Sequence, residues 1–255
     1  MRVTLLGTGG SHGIPVIACG CGVCASDDPR NRRTRSSALV EVGGRAILID
    51  TPPDLRIQAV THGIRRIDAV LYTHYHADHT HGIDDLKAFN AVLGGPLACY
   101  GNRSTADILG QRFDYAFAGT TWVGLIPHLT FDVVERPFEL LGVPIVPVRL
   151  QHGRIESTGW RIGAFAYLTD TNGIPPASLA LLDGLDVLVI DGLRPSAHPT
   201  HFSIPEAVAV ARDLRPARTY LTHLNHDVEH AREGATLPEG IELGYDGLTF
   251  ELPDP

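Results

Sequence analysis

The segment His74-Tyr75-His76-Ala77-Asp78-His79 decides how this chain is interpreted. It follows residues 69–73, an apolar run that is typical of a buried strand. Four potential metal ligands within six residues would not all pack as core, and a solvated loop has no need of three imidazoles. Imidazole nitrogens and carboxylate oxygens suit zinc, manganese or iron. Since His74 and His76 point one way in an extended turn while Asp78 and His79 lie nearby, the segment favours two ions over one.

Other polar residues also stand directly after apolar strands. In α/β folds the ligand sites lie beyond the carboxyl ends of strands, so these positions can supply further ligands. We expect His152, Asp170 and His223 to do so. Asp50 either accepts a hydrogen bond from a ligating imidazole or simply caps its strand.

Strand and helix patterns alternate along the chain, and no linker or repeat divides it. Strands follow one another from about residue 129 to residue 169, a run too long for a doubly wound sheet. We therefore predict one domain over residues 1–255 with an α+β fold. The expected architecture is an αββα sandwich of two mixed β-sheets packed between layers of helices. Ser203-x-x-Glu206 predicts a capping box at the start of one helix, and Ser104-x-x-Asp107 predicts the start of another.

Charge and hydropathy exclude several functions. Lys and Arg total 21 against 29 Asp and Glu, so the net charge of −8 argues against a long nucleic acid as partner. No apolar run approaches the ~18–20 residues of a membrane helix. Gly7, Gly9 and Gly10 interrupt the apolar N-terminus before a signal-peptide core could form. We therefore expect a cytoplasmic protein without a membrane partner.

Three of the four cysteines are clustered. Cys19, Cys21 and Cys24 form a C-x-C-x-x-C pattern, one ligand short of a tetrahedral zinc site. A disulfide-built fold would instead spread its cysteines along the chain. Cys99, in an apolar segment, is interpreted as a buried core thiol.

The segment 74–79 has the form H-x-H-x-D-H and resembles the signature of the metallo-β-lactamase-fold hydrolases. The resemblance implies that seven residues hold two divalent ions. The first ion would be held by His74, His76 and His152, the second by Asp78, His79 and His223, and Asp170 would bridge both.

The cysteines narrow the resemblance to the PhnP family of phosphodiesterases, which act on a phosphoribosyl cyclic phosphate. The likeness rests on His226 in Thr222-His223-Leu224-Asn225-His226, and it extends to Leu6-Gly7-Thr8-Gly9-Gly10, Asn31-Arg32-Arg33 and Gly244-Tyr245-Asp246-Gly247. It implies a structural zinc held by Cys19, Cys21, Cys24 and His226, beside two catalytic zinc or manganese ions.

By this resemblance the chain is a metal-dependent phosphodiesterase of small cyclic or diester phosphates, such as a phosphoribosyl cyclic phosphate or a cyclic nucleotide. Paired cations lower the pKa of a bridging water towards about 7, so that the hydroxide serves as nucleophile. His201 matches an active-site histidine of the family, as general acid or phosphate ligand, with His198 as the local alternative. Asp78 is counted with His201 among the catalytic residues.

Basic and histidine residues of the N-terminal segment are candidates for substrate contacts. Arg33, within the basic run Arg30, Arg32, Arg33 and Arg35, is predicted to bind substrate, although the run also fits a solvated loop. His12 is a candidate for a position near the metals or the substrate. The segment 116–127, with Trp122, fits either a substrate-covering loop or a dimer contact, which leaves a homodimer open.

Three other functions fit the same ligands. A thioesterase or lactonase would use the metal pair on a carbonyl carbon. A transfer-RNA 3′-end nuclease shares the motif, but the acidic charge and the lack of a basic RNA-gripping arm oppose it. A zinc-held interaction scaffold without activity is opposed by suitable residues at all seven ligand positions.

Overall fold

The computed structural model describes residues 1–117 and 125–255. Within them lie fourteen strands and eight α-helices. The strands are β1 Arg2–Gly7, β2 Ser37–Val42, β3 Arg45–Ile49, β4 Ala69–Leu71, β5 Leu97–Gly101, β6 Leu129–Val133, β7 Phe138–Leu140, β8 Val143–His152, β9 Ile155–Ile162, β10 Phe165–Leu168, β11 Val187–Asp191, β12 Arg218–Thr222, β13 Ile241–Leu243 and β14 Thr249–Glu251. The helices are α1 Leu55–Thr61, α2 Ala77–Thr80, α3 Lys87–Leu93, α4 Arg103–Arg112, α5 Asp114–Phe117, α6 Pro176–Leu179, α7 Ile204–Leu214 and α8 His230–Gly234.

The strands form two mixed sheets of seven. Their orders are β14-β1-β2-β3-β4-β5-β6 and β13-β12-β11-β10-β9-β8-β7. Strands β3 to β6 are parallel, as are β10 to β13. Strand β8 runs in the direction of β10, because both are antiparallel to β9. The carboxyl ends that carry the polar residues of interest therefore reach a common edge of each sheet.

The core has three layers, which explains the order of the sandwich. Between the sheets, Ile47 and Val3 of the first pack with Trp160, Phe165 and Val189 of the second, all with no exposed surface. A second apolar cluster lies under the helices outside the first sheet, and a third lies outside the second sheet. Burying both faces of each sheet removes the largest apolar area from water and fixes the αββα arrangement. The predicted fold class is confirmed.

One of the two predicted helix starts is correct. Ser203 and Glu206 form the expected capping box of α7, worth about 1 kcal/mol. Helix α4 begins earlier than Ser104, because Asn102 follows β5 directly and its side chain accepts the amide hydrogen of Thr105. The Ser104 hydroxyl donates to Asn102 Oδ1 and so does not cap the helix.

Two expectations concern long segments. No helix in the described ranges is both long and apolar enough to span a bilayer.

Residues 118–124, including Trp122, lie outside the described residues, so the expected loop or dimer contact over 116–127 stays a prediction.

Candidate metal centre

Seven residues meet where the carboxyl ends of the two sheets come together, and we call this group the histidine centre. They form two overlapping sets, within each of which the potential ligand atoms lie within 4.8 Å of one another. The sets are His74, His76, His152 and Asp170, and Asp78, His79, Asp170 and His223. The structure thus brings together all seven residues named from the sequence, in the two predicted sets.

Asp170 lies between the two sets, with one carboxylate oxygen facing each. Its Oδ1 is 3.8 Å from His74 Nε2 and 3.7 Å from His152 Nε2. Its Oδ2 is 3.0 Å from His79 Nε2 and 3.4 Å from His223 Nε2. This position suits a carboxylate that bridges two cations.

Sharp turns at the strand ends aim these side chains. Asp50, Asp170 and His223 have φ values of 62°, 54° and 58°, in the left-handed region that residues other than glycine seldom adopt. Such a conformation costs of order 1–3 kcal/mol and persists where the surroundings enforce it. Here it turns each chain abruptly at the end of a strand, beside the site.

Hydrogen bonds on the far nitrogens fix the imidazole tautomers. His79 Nδ1 donates to Asp50 Oδ2 at 2.7 Å, and His152 Nδ1 donates to the Thr200 carbonyl at 2.8 Å. Asp50 Oδ2 also accepts the Thr73 hydroxyl at 2.7 Å. His74 Nδ1 can then donate to the Thr73 oxygen, 3.1 Å away. These bonds leave the Nε2 atoms of all three rings facing Asp170 or the other ring nitrogens of the centre, and Asp50 is the acceptor considered from the sequence.

The electrostatics of the centre favour a cation. Burial lowers the pKa of His74 and of His152. Both rings are therefore neutral near pH 7 and can offer a nitrogen lone pair to a metal. Burial works against ionisation of Asp170, but the charges of His223 and His79 outweigh it and hold its pKa well below the usual range. Burial likewise opposes charge on His223, yet Asp170 and Asp78 help to raise its pKa to about 9. A metal must displace that proton, so affinity should fall as the pH falls.

The residues present fit metal ions. The Nε2 atoms of His74, His79 and His223 are buried and make no hydrogen bond to any residue in the described ranges. Leaving a buried polar atom unpaired costs roughly 1–3 kcal/mol, which a bound cation would offset. Histidine nitrogens with carboxylate oxygens form a donor set suited to zinc, manganese or iron.

His201 adds a further imidazole to the centre. It is buried, its Nδ1 donates to Asp191 Oδ2 at 2.7 Å, and its Nε2 lies 4.0 Å from Asp170 Oδ1. Asp191 also accepts the amide hydrogen of Thr171 at 3.0 Å, which fixes the carboxylate. Asp191 is the last residue of β11, and its pairing with His201, ten residues further along the chain, has no local signal in the sequence.

Two cavities flank His201 at the surface of the centre. The smaller, about 140 Å³, is lined by His12, His198 and His223 among others, and the larger, about 670 Å³, by His76, His152 and Arg154 among others. Ser11 and His201 line both. His12 thus lines a cavity beside His201 and His223. Arg154 was missed, although its position two residues after the predicted ligand His152 is a usable signal.

A second group, the cysteine cluster, consists of Cys19, Cys21, Cys24 and His226. The distances from His226 Nδ1 to the three Sγ atoms are 3.3, 3.6 and 3.7 Å. Zinc bonds of ~2.3 Å to sulfur and ~2.0–2.1 Å to nitrogen, at tetrahedral angles, would separate sulfur from nitrogen by about 3.6 Å. The amide hydrogen of Cys24 helps to lower the pKa of Cys21 to about 6. This set therefore also fits its predicted metal.

Arg33 corrects a prediction. It is 1% exposed, and its guanidinium donates to the Gly244 carbonyl and to the Thr8 hydroxyl and lies 3.0 Å from His230 Nδ1. These contacts tie the N-terminal loop to the C-terminal segment. The expectation that Arg33 binds substrate is wrong, because its donors are directed into the interior. Cys99, by contrast, lies buried in β5 as expected.

Comparison with known proteins identifies the family. Residues 45–224 match the model of the beta-lactamase superfamily domain. A solved structure of a new diphosphatase from the PhnP family is 41% identical, with a TM-score of 0.92 over 99% of this chain and 98% of that one. Zinc-bound PqqB from Methylobacterium extorquens, 21% identical, has the same fold, with a TM-score of 0.80 over 99% of this chain and 100% of that one.

A longer relative matches as well. The octanoyltransferase of Porphyromonas gingivalis is 38% identical over 97% of this chain and 51% of its own length, so this chain spans about half of it. Together with the His and Asp clusters, the family supports divalent metal ions as cofactors. The chain therefore belongs to the β-lactamase superfamily, as a metallo-β-lactamase-fold, PhnP-like metal-dependent hydrolase.

Proposed function

We propose that the protein is a phosphodiesterase of small cyclic or diester phosphates. The observation that carries the proposal is His201, a protonatable imidazole beyond the seven predicted ligands, held by Asp191 with Nε2 turned towards Asp170. Cleavage of an alkyl phosphodiester creates a poor leaving group that needs a proton, and a positioned imidazole supplies one.

We also propose the metal content of the molecule. The histidine centre would hold two divalent cations, zinc or manganese, and the cysteine cluster would hold one zinc. When bound, the two cations of the centre would supply Lewis-acid activation of water and neutralise charge on the phosphoryl oxygens.

His201 and Asp191 carry out the proton transfer to the leaving oxygen. Hydrolysis places the hydroxyl of water on phosphorus and breaks the bond from phosphorus to the leaving oxygen. His201 gives its Nε2 proton to that oxygen while its Nδ1 proton stays hydrogen-bonded to Asp191. The Asp191 carboxylate holds the ring in position during the transfer, and a proton from the attacking water restores the balance.

The shape and charge around the centre support a small substrate. Its two cavities have volumes of about 140 and 670 Å³. One arginine, Arg154, is found among the described residues that line them, and the chain carries a net charge of −8. A long nucleic acid would need many more cationic contacts along the surface.

The comparisons support a metal-dependent hydrolase but do not identify its substrate. The PhnP-family neighbour is a diphosphatase, and attack on a phosphoanhydride would use the same residues. The Porphyromonas gingivalis relative is named an octanoyltransferase, which is an acyl-transfer activity. That name describes the whole relative, of which this chain matches about half. A thioesterase or lactonase therefore stays the alternative to be tested, and the transfer-RNA nuclease stays another.

The test compares substrates that differ in bond type and leaving group. Purified protein with zinc or manganese is assayed on bis-p-nitrophenyl phosphate, a 2′,3′-cyclic nucleotide, a p-nitrophenyl thioester and a precursor transfer RNA. We expect cleavage of the first two and its loss in Asp78→Ala. In His201→Ala, the cyclic nucleotide should lose about 10²–10⁴-fold in kcat. Bis-p-nitrophenyl phosphate should lose less, because p-nitrophenolate needs little protonation.

One control variant completes this design. His128→Ala, at a histidine remote from the residues that line either cavity, should cleave both phosphates normally. Cleavage of the thioester alone, or of the transfer RNA alone, would contradict the phosphodiesterase proposal. The metal-dependent hydrolase fold would stand in either case.

A further inference from the structure

A groove on the outer face of the first sheet lies apart from the histidine centre, and we call it the arginine groove. Its volume is about 780 Å³, and its walls come mainly from β1, the β2–β3 turn and residues 62–66 after α1. Strand β3 begins here at Arg45, and Asp50 of the centre follows its last residue, about 16 Å further on at ~3.3 Å per residue. Among the described residues, none that lines the groove also lines either cavity of the centre.

Positive charge exceeds negative charge along this groove. It is lined by the guanidinium groups of Arg2, Arg45, Arg65 and Arg66 and by the carboxylates of Glu41, Asp68 and Asp254. Asp254 is already paired with the ammonium group of Met1. Four positive charges therefore meet two remaining negative charges, a local surplus of two in a chain whose net charge is −8. Burial lowers the pKa of His62, so its ring adds no charge near pH 7.

Arg65 carries one of the surplus charges without a partner. It is exposed, and it makes no salt bridge or hydrogen bond to any residue of 1–117 or 125–255. Its neighbour Arg66 contrasts with it, because Arg66 donates from two nitrogens to Asp68 Oδ1 at 2.8 and 2.5 Å. A guanidinium that lines a groove and has no protein partner is available to an anionic ligand.

Two further arginines are only loosely held. Arg2 lies 3.5 Å from Glu41 and Arg45 lies 3.5 Å from Asp68, and their side chains are 56% and 44% exposed. Exposed ion pairs contribute little to stability, so either guanidinium can turn towards a ligand at small cost. The Asp68 carboxylate also accepts the amide hydrogen of Ala46 at 2.9 Å, which joins the segment that carries Arg65 to β3. The groove therefore has a fixed frame and adjustable cationic side chains.

We propose that the arginine groove binds a small phosphorylated molecule, at a site separate from the histidine centre. A phosphate monoester carries about −1.5 to −2 charges at pH 7, which matches the surplus of two. Guanidinium groups donate paired hydrogen bonds to phosphate oxygens. The volume lies within the ~300–1,000 Å³ typical of pockets for small molecules. The groove binds its ligand without making or breaking a bond, so the inference goes beyond the proposed function and does not depend on it.

Hydrogen exchange of the metal-loaded protein locates a bound phosphate. Inorganic phosphate and adenosine 5′-monophosphate, titrated at constant ionic strength, should slow exchange of the backbone amides in residues 43–46 and 62–68, and adenosine should not. Phosphate bound at the histidine centre would instead slow exchange in residues 74–79 and 198–201. Failure of both phosphate compounds to protect residues 62–68 would overturn the proposal, as would equal protection by adenosine.

Matched variants test the role of the unpaired charge. Arg65→Gln breaks no contact with a described residue, so its melting temperature should equal that of wild type, while its affinity for adenosine 5′-monophosphate should fall about tenfold or more. Arg65→Lys keeps the charge but not the planar fork and should keep part of the affinity. Arg149→Gln removes a positive charge from β8 of the other sheet, where Arg149 pairs with Glu156, and should bind as wild type does. Equal affinity in wild type and Arg65→Gln, or an equal loss in Arg149→Gln, would overturn the proposal.

A last pair of measurements separates the groove from the reaction. Arg65→Gln should cleave bis-p-nitrophenyl phosphate within about threefold of the wild-type rate, the margin expected of a surface substitution. Asp170→Asn, in which the shared carboxylate of the centre is removed, should keep the protection of residues 62–68 by adenosine 5′-monophosphate. Loss of that protection would overturn the proposal, because the effect would then originate at the histidine centre. If no diester is cleaved but the groove still binds, the proposed reaction fails and this site stands.

Discussion

The histidine centre and the cysteine cluster are both potential metal sites, but they are built in different ways. The residues of the first stand at or near the carboxyl ends of strands in two sheets, and hydrogen bonds that its rings donate to Asp50, Thr73 and Thr200 hold the rings in place. The second lies in loops, where Ile14 and Val23 with Cys24 make only a small apolar cluster. One site is organised by the fold, whereas the other organises the loop that contains it.

We expect the two sites to differ in role: the histidine centre serves the reaction, and the cysteine cluster serves stability. The histidine centre opens onto two cavities and has His201 and Arg154 at their walls. Its polar atoms are preorganised by the sheets, so we expect the fold to survive removal of its metals. The cysteine cluster presents four ligands, which fill a tetrahedral zinc site and leave no position for substrate. Its loss should affect the loop first and activity second.

Substitution of the shared carboxylate, Asp170, should have the largest effect on activity and metal content. Asp170→Asn removes the negative charge that faces both sets of ligands, so one amide oxygen and one amide nitrogen would replace two anionic oxygens. We expect no diester cleavage above the enzyme-free blank and a loss of metal from the histidine centre, with one zinc kept per chain. Elemental analysis and the bis-p-nitrophenyl phosphate assay measure both. Asp213→Asn, on the exposed side of α7, is the matched control and should change neither.

Substitution of Asp50, which accepts a hydrogen bond from the predicted ligand His79, should have a smaller effect on metal affinity and activity. Asp50→Asn keeps the shape of the side chain but weakens its acceptance of hydrogen bonds from His79 and Thr73. Loss of such an outer partner typically costs 10–100-fold in metal affinity or activity. We expect a metal titration of activity to shift by that factor and excess metal to restore part of the rate. An unchanged titration would mean that Asp50 only caps its strand.

The smallest effect on activity is expected at the cysteine cluster. Cys21→Ser should remove one zinc per chain and lower the melting temperature by about 2–4 °C for each kcal/mol lost. Activity should stay within about tenfold of wild type, because backbone bonds from Leu224 to Thr8 and from Gly10 to Leu224 hold the His223 segment independently.

Two measurements check that expectation. Metal analysis and limited proteolysis of the loop over residues 14–36 should both report the loss of zinc in Cys21→Ser. Cys99→Ala removes a buried thiol outside the cluster and should leave the zinc content unchanged. Abolished activity in Cys21→Ser with a normal melting temperature would contradict the division between the two sites.

Local patterns predicted much of this architecture. The αββα class followed from the order of strands and helices, and the capping box at Ser203 is formed as expected. The start of strand β9, Ile155-Glu156-Ser157-Thr158, is polar, so its identity as a strand depends on its pairing with β8. Arg33 was misassigned for a similar reason, since a basic run does not reveal which guanidinium will be buried.

The sequence by itself determined the candidate ligands, because their identities and spacing belong to the chain: H-x-H-x-D-H, three clustered cysteines and polar residues after apolar strands. The tertiary structure decided what stands around them. Asp191 meets His201, Asp170 faces two sets of histidines, and Arg154 reaches the cleft while Arg33 does not. Such pairings join residues distant along the chain, and they form only when sheet packing brings the strand ends together.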